Sequence, residues 1–461
     1  MTKNMTEGKP VKLILMFALP LIIGNIFQQF YSLVDTLIVG RTIGVNALAA
    51  LGCTGSLNFF VLGFIMGFAN GLAILTAQRF GAEDAEGVKR SFAASILLSI
   101  GMSVIITILA LLLVRPAMEL LQTPEEIMED AVAYIQIIFA GLAASVFFNL
   151  TSNMIRALGD SRTPLVFLIL ACCVNIVLDL VFITVFHMGV EGAAYATIIS
   201  QVLSGIWCFR YIRKKMPDLW VEKRHFMAFA KEAKEHIVLG LPMGFQMSII
   251  AIGSLTLQFA LNSLGATSVA AVTAAQKIDS IATMPLNSLG AAMATYSAQN
   301  YGAQRLDRIR TGVFQCALIS VGISILMGVV NFFAGDELTA IFVGKGETEV
   351  LSLAKIYLCI NGTLYWVLAL LFVYRFTLQG LGDSVTPTIA GVMELLMRAG
   401  AALFLVGPFG FTGAVAANPL AWIGACIPLG FAYYRLMNRL EHPDRAKKCL
   451  WKRKNCHAGE E

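Results

Sequence analysis

Two short stretches carry acidic residues where the chain is otherwise almost uncharged. FYSLVDTLIVGR, residues 30–41, holds Asp35, and NIVLDLVF, residues 175–182, holds Asp179. Tyr31 and Asp35 are four residues apart, as are Asn175 and Asp179, so on helices each pair shares a face. With the hydroxyl of Thr197, they could bring two carboxylates, an amide and a phenol to one small site. Every member except the amide nitrogen offers oxygen, which suits a proton or a small hard cation. Two neighbouring carboxylates in a low dielectric are expected to hold one proton near neutral pH and to titrate as a unit. Losing that proton leaves charge that needs water, a cation or a different helix packing, so the pair can couple ion occupancy to shape.

The elements that must position these groups are membrane helices. The chain of 461 residues is 57% hydrophobic and 14% charged, with a mean hydropathy of +0.74. Soluble domains carry roughly 25% charged residues. Apolar stretches run past about 20 residues, the span of a bilayer core, and an unpaired strand there would leave its backbone groups unsatisfied. Hydropathy gives twelve helical spans, at 13–39, 46–78, 91–114, 130–157, 164–186, 189–212, 236–263, 267–299, 311–334, 350–380, 387–407 and 411–436. The first has no small-residue cleavage site and is expected to be a retained helix. An ionised carboxylate costs about 2.5–3.5 kcal/mol at the centre of such a helix, so its presence calls for a function.

Lysine and arginine set the orientation. With the N-terminus cytoplasmic, 28 of the 34 fall on inner segments, Arg375 among them, against four outside: Arg41, Arg115, Lys345 and Lys355. Both termini are therefore expected in the cytoplasm. The net charge of +5 follows from topology and is no argument for nucleic-acid binding. The basic segment between spans 6 and 7 is expected to include a short helix on the inner leaflet.

The chain also repeats itself. TAQRFGAEDAEGVKR (76–90) aligns with SAQNYGAQRLDRIRT (297–311), LGDSRTP (158–164) with LGDSVTP (381–387), and MGVEGAAYA (188–196) with FGFTGAVAA (409–417). Six spans per unit make both units face the same way, and parallel repeats of this kind hold substrate between them. The expected organisation is a six-helix lobe at 1–212, a basic linker at 213–235, a second lobe at 236–437 and a basic tail at 438–461. In the LGDSxTP turns, Thr163 and Thr386 can cap the helices that Pro164 and Pro387 open.

These residues resemble the multidrug and toxic compound extrusion (MATE) family. The likeness rests on twelve spans in two lobes, AQ(R/N)(F/Y)GA after spans 2 and 8, and LGDSxTP after spans 4 and 10. It covers essentially the whole chain and is strongest toward the MepA-like and DinF-like bacterial members. The resemblance implies an all-α antiporter of the bacterial plasma membrane, expelling drug-like organic cations while protons or sodium ions run inward. It also implies an ion site at Asp35, Asn175, Asp179 and Thr197 with Tyr31 nearby, and a bending first helix at Pro20. From the residues alone, Pro20 is equally a fixed kink.

Spans 7 and 10 lack the acids of the sodium-coupled NorM-type pattern, which favours protons, though the oxygens of Asp35, Asn175, Asp179 and Thr197 could equally hold sodium. A purely structural pair, fastening the lobe through Tyr31 and Asn175, is disfavoured because amides or hydroxyls do that at lower cost. In the second half, Glu394 and Arg398 are one turn apart, and Lys277 and Asp279 lie near the midplane. The four are expected to form a neutralising network, with cavity-facing contact to substrate as the alternative, above all at Glu394. Met154, Met247 and Met284 are candidate cavity residues.

No Walker-type GxxxxGK[ST], HExxH, DDxxD or nucleophile elbow occurs, so neither ATP use nor an enzyme is expected. No cofactor is called for beyond the coupling ion. Cys449, Cys456 and His457 make only a weak metal-binding tail. The alternative function is a flippase for an anionic lipid-linked precursor. It is disfavoured because the available cations, Lys277 and Arg398, each have an acidic partner in reach. A two-lobed chain can complete a transport path as a monomer.

Overall fold

The structure, a computed structural model, describes residues 4–344 and 346–442. Lys345 and most of the basic tail, including Cys449, Cys456 and His457, lie outside the described residues. Helices account for nearly all of what is described, and no strand occurs among those residues. The first half contains α1 (Pro10–Thr42), α2 (Val45–Gly81), α3 (Ala85–Leu120), α4 (Glu125–Ala140), α5 (Leu142–Ala157), α6 (Arg162–Leu180) and α7 (Val190–Lys215). After the short α8 (Lys223–Phe226) the second half begins with α9 (Phe229–Asn262), α10 (Ala266–Gly302) and α11 (Leu306–Val343). It continues with α12 (Thr348–Thr363), α13 (Tyr365–Gly380), α14 (Val385–Phe404), α15 (Val406–Val415) and α16 (Ala417–Glu441).

Nine of these helices are long and apolar enough to cross a membrane, and two bent pairs bring the number to eleven. The pairs are α4 with α5, bent by 47°, and α12 with α13, bent by 50°. The twelfth expected span is α10, 37 residues long but richer in small and polar residues. Its composition follows from its place, because α10 packs among α1, α2, α11 and α13 instead of facing lipid. The helices that do face lipid expose large apolar side chains, such as Leu112, Phe333 and Leu403.

The internal repeat is written in the backbone. Left-handed residues recur in pairs at the repeat spacing: Gly44 with Gly265, Glu83 with Gln304, Gly159 with Gly382 and Gly189 with Gly410. Each pair marks the same turn in the two halves. The LGDSxTP turns match in detail, although their caps differ from expectation. Asp160 and Asp383 accept the backbone N–H of Thr163 and Thr386, each at 3.0 Å, while the threonine hydroxyls donate to the same carboxylates. A carboxylate has two acceptor oxygens and takes the backbone N–H on one and the threonine hydroxyl on the other.

The halves meet by an approximate two-fold arrangement in which α2 packs along α9, α10 along α1, and α2 against α10. Glycines let these backbones touch. A side chain at Gly71 would strike Gly240, and one at Gly67 would strike the Met243 carbonyl. At the face carrying both described chain ends, Gly81 abuts Gln299 and Gly302 abuts Gln78, a reciprocal pair. Gln78 also donates to the Gly380 carbonyl at 2.8 Å and Gln299 to the Ala157 carbonyl at 2.7 Å. Toward the opposite face, Gly52 and Gly55 of α2 have nothing within 4 Å of where a side chain would begin. The halves are thus packed closely at the terminal face.

The linker does not form a separate surface helix. Met216, Leu219 and His225 are buried in the body, beside α3, and α9 already begins at Phe229. Met216 and Leu219 thus find protein, while Met227 beside α8 stays exposed. Ion pairs hold this region: Arg79 of α2 binds Glu232 and, at 3.3 Å, Glu235 of α9, and Arg90 reaches Glu232 at 3.4 Å.

Candidate functional site

Three helices of the first half deliver the expected polar groups to one place. α1 carries Tyr31 and Asp35, α6 carries Asn175 and Asp179, and α7 carries Thr197. α1 and α6 run side by side, with Leu165 and Leu168 packed against Gly24. Asp35 is 9% exposed, Asn175 1% and Asp179 not at all. The two carboxyl groups lie within hydrogen-bonding reach of each other. Thr197 ties the cluster together: its hydroxyl is 3.2 Å from the Tyr31 phenol and receives the Asn175 amide at 3.5 Å. It also donates to the Ala193 carbonyl at 3.0 Å, which leaves it no second proton for a carboxylate.

The consequence is a set of buried acceptors without donors. Asp35 Oδ1, Asn175 Oδ1 and both oxygens of Asp179 have no hydrogen-bond partner. Buried polar atoms are normally paired, and an orphaned carboxylate oxygen is expensive. What such a set accepts is a proton, shared between the acids, or a hard cation ligated by oxygen. The donor chemistry fits either. The disfavoured alternative, that Tyr31 and Asn175 merely fasten the acids, has no support in the geometry, because neither side chain donates to a carboxylate.

A residue the sequence did not single out completes the wall. Tyr134 of α4 is buried and close enough to both acids to feel their charge. In the sequence it belongs to the buried stripe of α4 with Ile127, Ala131, Ile135 and Ile138, where an aromatic reads as packing. Directly after Asp179, residues Val181–Val185 form a π-helical turn before the left-handed His187 and Gly189. Widened turns of this kind tend to occur at functional positions.

Pro20 lies inside α1, which runs unbroken through it, about three helical turns from its start at Pro10. Its repeat counterpart is Pro242 of α9, also inside a continuous helix. The counterparts of the acids are apolar. At the spacing that relates the two prolines, Asp35 corresponds to the buried Leu257; at the spacing of the LGDSxTP turns that open α6 and α14, Asp179 corresponds to Ala402.

The second half carries a different arrangement from the expected network of four charges. Glu394 pairs with Arg375, the residue assigned above to an inner segment, and with Arg398 at 3.6 Å. Arg375 is 4% exposed on α13, so it does not count toward orientation. It was misplaced because it lies near the end of an apolar run. Asp279 instead receives the Tyr365 hydroxyl at 2.5 Å, and Tyr365 in turn receives the Asn331 amide at 2.9 Å. Lys277 is exposed and makes no ion pair among the described residues.

The methionines divide. Met154 is fully buried, with its sulfur accepting the Thr76 hydroxyl at 3.3 Å, so it belongs to the core of the first half and not to a cavity. Met247 lies on the α2–α9 seam beside Gly63, and Met284 is half-buried on α10.

The profile of the MatE family matches the chain twice, at residues 20–181 and 242–403, starting 222 residues apart. Probable multidrug resistance protein YpnP of Bacillus subtilis is 33% identical over 307 residues, covering 66% of this chain and 68% of that protein. Multidrug export protein MepA of Staphylococcus haemolyticus is 21% identical over 437 residues, covering 94% and 95%. Among solved structures, the outward-facing conformation of a multidrug resistance MATE family transporter of the MOP superfamily superposes with a TM-score of 0.88 at 23% identity, covering 95% of this chain and 98% of that one. The fold is therefore shared at a level where sequence alone has largely diverged. Two matches to one profile, spaced as the repeat is spaced and spanning most of the chain, establish that this protein belongs to the MatE family, whose members are membrane transporters and not enzymes.

Proposed function

We propose that this protein is a secondary active antiporter. It exports organic, mostly cationic and amphipathic compounds in exchange for protons or sodium ions, and couples the exchange at Asp35 and Asp179. The observation that carries the reading is the buried acid pair with its unpartnered oxygens, beside an interface between halves that is packed closely at its terminal face. The names of relatives such as YpnP and MepA support multidrug compounds as cargo. With the basic terminal face in the cytoplasm of a bacterial cell, the conformation described is closed to the inside. Asp35 and Asp179 then meet the outer medium first and take up the ion there.

Mechanism follows from charge and packing. An acid pair that has taken up a proton or sodium no longer carries the full charge that demands water, so α1, α6 and α7 can close around it. Ion loss on the inner side reverses this. Protons are favoured over sodium because no acid on α9 or α13 below the membrane surface supplies a second oxygen site of the NorM kind. For the proteins to alternate, the pairs of Arg79 and Arg90 with Glu232 and Glu235 must break.

The test is ethidium efflux from cells lacking other pumps, comparing wild type with Asp35→Asn and Asp179→Asn, under collapse of the pH gradient or of the sodium gradient. Loss of efflux in both variants at normal expression, with dependence on one gradient, is the expected result. Full efflux in Asp35→Asn would overturn the assignment of the coupling site.

A further inference from the structure

We propose that the second half contains a binding site for an anionic group, built by Arg375 and Arg398 around Glu394 between α9, α13 and α14. Glu394 gives one oxygen to each arginine, Oε1 to Arg375 and Oε2 to Arg398. All three side chains are more than nine-tenths buried. Guanidinium groups stay charged in proteins, so two of them against one carboxylate leave one positive charge in a low dielectric. The nearest further acid, Asp279, is engaged by Tyr365 and pairs with neither arginine.

Donors outnumber acceptors in the unused hydrogen-bonding capacity around the arginines, where Gln379 Oε1 is also unpartnered. Arg375 Nε, Arg398 Nη1 and Gln246 Nε2 are buried donors without acceptors. Gln246 has already given its oxygen to the Gln379 amide at 2.8 Å, and Arg398 Nε has Asn418 as acceptor at 3.2 Å. Arg398 Nη1 lies 3.0 Å from where a side chain at Gly253 would begin, so only a glycine on α9 leaves this nitrogen its space.

A buried surplus cation with free N–H groups is completed by an anion, and arginine forks match carboxylate, phosphate and sulfonate oxygens. The ligand is a small organic acid, or the acidic group of an amphoteric cargo, or an inorganic anion. It would bind at a site separate from the acid pair of α1 and α6.

The experiment is calorimetric titration of the purified protein in lipid nanodiscs with sodium benzoate, with and without sodium chloride. Saturable one-site binding is expected, weakened about tenfold or more in Arg398→Gln. Glu394→Gln removes the competing carboxylate and is expected to bind several-fold tighter than wild type. Arg398→Lys keeps the charge and retains part of the affinity, which separates loss of the site from loss of the fold. Benzoate binding that chloride cannot displace identifies an organic acid as the ligand. Full displacement by chloride, with the same dependence on Arg398, identifies an inorganic anion. Absence of saturable binding by either salt, or equal binding in wild type, Arg398→Gln and Glu394→Gln, overturns the proposal. The readout is binding and not transport, so its failure is distinct from failure of the antiport reading.

Discussion

At the scale of single residues, the proposed coupling site separates into groups that hold charge and groups that hold position. Asp35 and Asp179 contribute three buried carboxylate oxygens without a donor, whereas Tyr31 touches only the Thr197 hydroxyl. Tyr31→Phe therefore removes one neutral hydrogen bond, worth about 1 kcal/mol, and should change efflux by no more than about fivefold. Asn175→Leu should do more, because the Asn175 oxygen is one of the orphaned acceptors. The apparent affinity for the coupling ion in a vesicle assay is expected to fall by about tenfold or more, as for the loss of a group that hydrogen-bonds a charge. Asp35, Asn175, Asp179 and Thr197 were legible in the sequence because a polar group in an apolar helix is conspicuous and its four-residue spacing is readable. Tyr134 was not, since a tyrosine in a buried stripe has the spacing of a core residue. Arg375 escaped for the opposite reason: placed near the end of an apolar run, it read as a surface charge.

Elements show where the limits of a linear reading lie. Hydropathy located the spans, and matched turns at Gly159 and Gly382, or Gly189 and Gly410, are visible both as sequence and as left-handed backbone. The bends between α4 and α5 and between α12 and α13 were not foreseen, because each break falls inside a continuous apolar stretch. Nor was the α2–α9 seam, where the informative residues are glycines whose partners are far away in the chain. Gly67 and Gly71 have no room for a side chain against Met243 and Gly240. Gly71→Leu should lower stability by about 1–3 kcal/mol, the range for overpacking a close contact, and should show as a lower unfolding temperature. The same substitution at Gly52, which has no neighbour within 4 Å, should leave that temperature unchanged.

For the whole molecule, the closed face is held by long-range polar contacts between halves. Arg79 with Glu232 and Glu235, and Arg90 with Glu232, form a small ion-pair network at the start of α9. Glu232 is only 5% exposed, so removing its partner leaves a poorly solvated charge. Arg79→Ala should weaken the closed face and raise the labelling rate of a cysteine placed at Gln78 or Gly380. The exchange Arg79→Glu with Glu232→Arg should restore most of the protection. A labelling rate unaffected by Arg79→Ala would mean that the reciprocal packing of Gly81 on Gln299 and Gly302 on Gln78 closes this face unaided.

The duplicated framework carries its acid pair once, with Leu257 and Ala402 at the corresponding places in the second half. On the proposed antiport reading, that asymmetry sets a ceiling on concentrative power. One carboxylate pair can deliver at most two protons per cycle. Each proton moving down one pH unit supplies about 1.4 kcal/mol, a tenfold accumulation ratio. If one proton exchanges for one monovalent cation, the cycle moves no net charge, so the membrane voltage contributes nothing. If two exchange for one, a net charge crosses and each 100 mV adds about 2.3 kcal/mol. The limiting gradient of cargo, measured with and without an imposed voltage, therefore counts the protons that Asp35 and Asp179 share.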